Sequence, residues 1–108
     1  MYKIFFTEPA ERDITEAICY IVEELQNPVA AIKLFEDIER SVGSLQENPK
    51  RYPLVRDDYL ASKGFRLMPV QKYLIFYVVR DDARDEKKSV TIERVLYNRR
   101  NWIVIFCP

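Results

Sequence analysis

The sequence predicts an α+β domain of order β-α-α-β-β-β, an antiparallel sheet with an N-terminal helical hairpin packed on one face. Three observations carry this expectation. Residues 64–80 (GFRLMPVQKYLIFYVVR) read as two strands folded back on each other, the second a continuous β-branched and aromatic run. Upstream, two segments repeat apolar residues at intervals of three and four, the signature of helices with one buried stripe. Only Asn27-Pro28 separates those segments, too little for anything but a reversal, so the helices must pack antiparallel.

Taken in order, residues 2–6 (YKIFF) form a short strand. Thr7, Glu8 and Pro9 then supply a capping oxygen and a proline in the first turn. The first helix runs from Glu8 to about Gln26, with Ala10, Ile14, Ala17, Ile18, Ile21 and Leu25 as its stripe. Asn27-Pro28 ends it and caps the next, which runs from Val29 to about Gln46 on Ala31, Leu34, Phe35, Ile38, Val42 and Leu45. From Glu47 to Lys63 the periodicity stops. Asn48-Pro49, Tyr52-Pro53 and Arg56-Asp57-Asp58 mark an irregular crossing with room for one short helical turn near Tyr59 and Leu60, and long connections of this kind often line a site.

After the reversal at residues 70–72, Tyr73, Ile75, Tyr77 and Val79 point to one face and Leu74, Phe76 and Val78 to the other. Both faces are apolar, so this strand belongs mid-sheet and something must cover each side. Residues 81–88 (DDARDEKK) form a polar turn, and residues 89–97 (SVTIERVLY) a last strand. Its alternation places Val90, Ile92, Arg94 and Leu96 opposite Thr91, Glu93, Val95 and Tyr97. The first strand is expected beside this last one. Residues 101–108 are a C-terminal extension whose apolar core, Trp102-Ile103-Val104-Ile105-Phe106, suits an added strand, a flap onto the sheet or a contact with a second copy.

Composition narrows the function classes. At 108 residues the chain is a single domain (1–108), and 48% apolar with 31% charged residues describes a globular chain rather than a disordered one. No apolar run approaches the roughly 18 residues a membrane span needs, and the start is not signal-like, so a cytoplasmic location is expected. Cys19 and Cys107 have no motif spacing, and Cys19 is read as a small core residue of the first helix. Asp57-Asp58 and Asp81-Asp82 are adjacent pairs without a third ligand, so neither metal nor cofactor is expected. Net charge is zero, yet residues 1–48 carry four bases and ten acids, a balance of −6, whereas residues 49–108 carry thirteen bases and seven acids, a balance of +6. Such a division suits either a phosphate backbone or an acidic protein partner on the sheet side, or a merely solvated surface.

The order of elements, the run Phe65-Arg66-Leu67-Met68-Pro69-Val70, the strand Tyr73-Leu74-Ile75-Phe76-Tyr77 and the segment from Ile92 to Arg100 (IERVLYNRR) together resemble the RelE/ParE superfamily of toxins from type II toxin–antitoxin modules. The likeness spans residues 2–100. It implies a sheet backed by the helical hairpin, an open basic face, and a cognate antitoxin that wraps and blocks the toxin. On that view the second apolar face receives a segment of the partner, the alternative being that the long loop and the chain end fold over it. Association into a homodimer or a toxin–antitoxin hetero-oligomer is also compatible.

Two mechanisms divide the superfamily. Members similar to RelE cleave messenger RNA on the ribosome without metal, the ribose 2′-hydroxyl attacking the neighbouring phosphate. That reaction needs a proton acceptor, cations for the pentacovalent phosphate and a donor to the leaving oxygen. By resemblance Arg66, Tyr97, Arg99 and Arg100 are the catalytic candidates, and Lys63, Lys72 and Arg94 the candidates for substrate contact, Arg94 with a structural alternative. The chain has no histidine, so a histidine step is excluded, and tyrosine would serve near neutral pH only with a strongly lowered pKa. Members similar to ParE share the scaffold and poison DNA gyrase through surface contacts, and the ending Tyr97-Asn98-Arg99-Arg100 resembles theirs equally. The expectation is thus a ribosome-associated endoribonuclease acting on mRNA, with a gyrase inhibitor or an inactive antitoxin-binding relative as alternatives.

Overall fold

The computed structural model describes residues 1–81, 88–98 and 105. In chain order it contains β1 (Lys3–Phe6), α1 (Glu8–Glu23), α2 (Pro28–Ser44), a 3₁₀ turn (Pro49–Arg51), α3 (Asp58–Ser62), β2 (Phe65–Val70), β3 (Tyr73–Arg80) and β4 (Ser89–Tyr97). The α+β order read from the sequence holds. So does the helical hairpin, whose caps are those the sequence offered: the Thr7 hydroxyl accepts from the Ala10 N–H at 3.1 Å and Asn27 Oδ1 from the Ala30 N–H at 3.1 Å. The one turn of helix in the crossing is α3, capped by Asp57.

The sheet runs β1-β4-β3-β2. β1 lies beside β4 as expected, but the two are parallel, so the sheet is mixed rather than antiparallel throughout. The cause is topological. Two hairpin reversals separate β2 from β4, leaving β4 in the direction of β2, and the helical hairpin brings β1 in along that same direction.

A β-bulge corrects the alternation predicted for β4. Tyr77 faces Ile92 while Phe76 faces Arg94, so Glu93 is an extra residue in the ladder. Beyond it the faces exchange: Val90, Ile92 and Val95 all enter the core beneath the helices, and Leu96 enters the opposite one. The bulge is held by the start of α1, where the Thr7 hydroxyl donates to the Glu93 carbonyl at 2.8 Å and the Thr7 N–H to that of Ile92 at 3.0 Å. One threonine therefore caps a helix and pins a strand irregularity.

The two faces of β3 are filled as its alternation requires. Beneath the helices, Ala10, Leu34, Ile38, Met68, Ile75, Tyr77 and Ile92 form the main core. On the other side Val55, Leu60, Phe76 and Leu96 are buried together, with Phe65, Leu67, Leu74 and Ile105 packed against them. The long connection and Ile105 thus cover part of this second face, the alternative weighed for it, while Phe65, Leu67 and Leu74 stay only partly buried there. Within the tail, residues 101–104 and 106–108 lie outside the described residues. Three helix assignments also change. Leu25 and Phe35 are exposed, 57% and 48%, because α1 ends at Glu23 and because Phe35 sits one step off the line of Leu34 and Ile38. Cys19 is exposed rather than core, being a step of 100° from the buried edge at Ala17 and Ile18. Among the described residues no helix is long and apolar enough to cross a membrane, and no cluster of acids and thiols could hold a metal.

Candidate functional site

The residues singled out in the sequence fall into two separated groups. Arg66 sits on β2 opposite Tyr77, whereas Tyr97 sits on β4 opposite Tyr73. Four residues of β3 separate those levels, about 13 Å of strand, and a further strand lies between β2 and β4. The single rim expected for Arg66 and the Tyr97 end is therefore not formed. The reason is direction and register: β2 and β4 run the same way, and β2 begins opposite Val78, level with Thr91, the third of the 9 residues of β4, so its start stays far from the end at Tyr97. Arg99 and Arg100 lie outside the described residues.

At the Arg66 end the guanidinium is occupied by the backbone. Its Nη1 donates to the Tyr52 carbonyl at 2.6 Å and reaches the Lys50 carbonyl at 3.5 Å, so Arg66 ties the 3₁₀ turn down onto β2. The adjoining connection continues that edge, with Val55 N–H donating to the Phe65 carbonyl at 2.9 Å. Tyr77 lies behind, its hydroxyl buried and donating to the Pro49 carbonyl at 2.6 Å; burial pushes its pKa up to about 12. Lys63, at the end of α3, holds its ammonium 5.7 Å from the centre of the Tyr59 ring. Nearby, Asp81 takes the Lys50 ammonium at 2.9 Å and the Tyr2 hydroxyl at 3.0 Å.

Arg94 is structural. Its Nε and Nη2 donate to the two oxygens of Asp13, at 2.7 and 2.9 Å, a bidentate pair beneath α1. Asp13 Oδ2 also accepts the Val95 N–H at 3.0 Å, the donor just beyond the bulge. Asp13 is the residue that sequence reasoning missed, and it had left a trace: it is the acid lying within the stripe of Ala10, Ile14 and Ala17.

Tyr97 and Lys72 do meet, at the other end of the sheet. The Asn98 N–H donates to the Lys72 carbonyl at 2.8 Å, closing the strand end onto the β2–β3 turn, whose first residue, Gln71, has φ +53°. Here a groove of about 790 Å³ opens between α1 and the sheet. Its walls are Glu16, Ala17 and Tyr20 from α1, Tyr73 from β3, and Val95 and Tyr97 from β4, with Asp13 at the floor and Lys72 at the rim. Tyr73 and Tyr97 meet edge to face, ring centres 5.4 Å apart and planes at 66°. The Tyr73 hydroxyl is held above the ordinary tyrosine range, first by burial and then by its neighbours Tyr97 and Tyr20. A phenol shifted that way stays protonated at neutral pH, so it donates hydrogen bonds and does not abstract protons. Tyr73 thus serves the groove as a hydrogen-bond donor.

Residues 4–102 match the family model described as the ParE toxin of the type II toxin–antitoxin system parDE. Two solved structures share the fold. One is described as the chromosomal ParDE TA system from P. aeruginosa, at 20% identity and a TM-score of 0.69, covering 90% of this chain and 96% of that one. The other is the YoeB/ParE toxin from Agrobacterium tumefaciens, at 10% identity and a TM-score of 0.60, covering 88% of this chain and 97% of that one. No curated protein sequence matches.

Proposed function

Because the chain belongs to the ParE toxin family of type II toxin–antitoxin systems, we propose that it arrests growth in the cytoplasm as a binding toxin, with DNA gyrase as its target, and that a cognate antitoxin holds it inactive. The observation that carries this reading is the separation, among the described residues, of candidates an RNA-cleaving toxin would need together. Arg66 is engaged by the carbonyls of the 3₁₀ turn and Arg94 by Asp13, and Arg66 stands four strand positions from the level of Tyr97. Cleavage by 2′-hydroxyl attack requires cations and a proton acceptor around one phosphate. A binding toxin requires only surface.

That surface is present. Val29, Ile32 and Phe35 stand 75%, 60% and 48% exposed along α2, and Phe5 and Phe6 are exposed on β1. Phe6 and Phe35 line one groove, and exposed apolar side chains along this flank favour a protein partner. The antitoxin belongs to the same reading, as a small protein encoded beside the toxin.

Induction of the chain in a growing culture separates the possibilities. The expected result is cleaved DNA covalently linked to gyrase, together with an SOS response. New 5′ ends inside reading frames, mapped by primer extension in an arrested culture without gyrase-linked breaks, would instead establish the endoribonuclease. Unimpaired growth would identify an inactive antitoxin-binding relative.

A further inference from the structure

We propose that the tyrosine groove at the turn end of the sheet is a receptor for one basic side chain, preferentially an arginine, carried by a partner protein. The inference deepens the binding-toxin reading, since it names the chemistry by which a partner is held.

The argument begins with what lines the groove. Tyr73 and Tyr97 sit edge to face, so one ring leaves a π-face free, and Tyr20 projects from α1 across the opening, 55% exposed. The electron-rich face of a tyrosine attracts a cation, and a planar guanidinium stacks on it while keeping its N–H groups free at the edge. Glu16 lies one helical turn before Tyr20 on α1, so carboxylate and ring share one wall. Small residues, Ala17 and Ala30, leave the space between the walls open.

Charge points the same way. Of the acids on α1, Asp13 and Glu16 line the groove. The floor already holds a guanidinium, since Asp13 binds Arg94; Glu16 lies close enough to act on that charge but forms no ion pair among the described residues, and is the acid a newcomer would meet. Lys72 at the rim is the opposing charge, exposed on the turn. Among the described residues, cations stand over the rings of Tyr2, Tyr52 and Tyr59, each supplied by the chain itself, and not over Tyr20, Tyr73 or Tyr97.

The test titrates the purified protein with N-acetyl-arginine amide and, separately, with N-acetyl-citrulline amide, the neutral isostere, following the tyrosine ring signals by NMR. Saturable shifts at the groove tyrosines with the arginine derivative, and much weaker ones with citrulline, are expected. Tyr97→Leu should weaken binding by about threefold to thirtyfold, the range of a single cation–π contact. Because Glu16 is exposed, Glu16→Gln should fold normally and still weaken binding, Lys72→Ala should tighten it, and Tyr59→Leu should change nothing. Equal binding of citrulline, insensitivity to both Glu16→Gln and Tyr97→Leu, or the lack of saturable shifts at these rings would overturn the proposal. None of these results depends on gyrase, so the growth experiment and this one fail separately.

Discussion

The pairing of Asp13 with Arg94 is the residue on which the helical layer and the sheet agree. Asp13 accepts three hydrogen bonds, two from the guanidinium and one from the Val95 N–H. Removing either partner leaves a buried polar group uncompensated, but not equally. Asp13→Ala strands both Arg94 and the Val95 N–H, and should cost about 3 kcal/mol or more, whereas Arg94→Ala leaves the carboxylate one N–H and should cost less. Chemical denaturation of the two single variants checks the order, and a double Asp13→Leu/Arg94→Met variant should recover part of the loss. The sequence displayed the acid in the apolar stripe, yet not its meaning, because periodicity reports which face is buried and is silent on which donors are already there. Tyr77 offers a second measurement. Its folded pKa lies near 12 against an ordinary value of 10.0, so its contribution to stability is intact below pH 10 and is lost as pH rises from there through about 12, while the unfolded chain ionises first. Alkaline absorbance titration should show one tyrosine ionising last, together with unfolding, and Tyr77→Phe should remove that step.

Among the elements, the helices and β3 were legible because each repeats its own period over several turns or pleats. β4 was only half legible. A bulge changes face without changing composition, so SVTIERVLY alternates on paper past the point where the strand stops alternating. What fixes the bulge lies far away in sequence, at Thr7. Replacing Thr7 by Val should remove both the cap and the donor to Glu93, lowering stability by about 1–2 kcal/mol, while Thr7→Ser keeps the hydroxyl and most of the stability. Thermal melts of the two variants distinguish them. The anchoring of Arg66 was illegible for a related reason. Its partners are carbonyls of the crossing segment, and nothing in a side-chain pattern announces a bond to a backbone oxygen.

For the molecule as a whole, the sheet has a helix-covered face and a face partly covered by its own connection, and the flank along α2 is exposed besides. The exposed apolar residues of α2 are there without a stabilising duty inside the fold. Ile32→Glu and Phe35→Glu should therefore leave the melting temperature close to that of the parent, within the roughly 0.5 kcal/mol typical of surface changes. The same variants should weaken the hold on a protein partner, read as weaker growth arrest on induction at unchanged protein level. Fold order, element types and family were all available from the residues. The location of the working surface was not, because it follows from strand register and from where the long connection is laid down.

The place of β4 in the sheet has a consequence in time. It is the latest of the described strands to leave the ribosome, yet it stands between the earliest and the third, so β1 and β3 have no ladder joining them until it arrives. An unfinished chain can collapse its helices but cannot close its core, since the deciding contacts join residues near opposite ends of the sequence. A toxin folded in this order offers its complete surface only once its last described strand is in place, and that is the first moment at which an antitoxin can grip the finished fold.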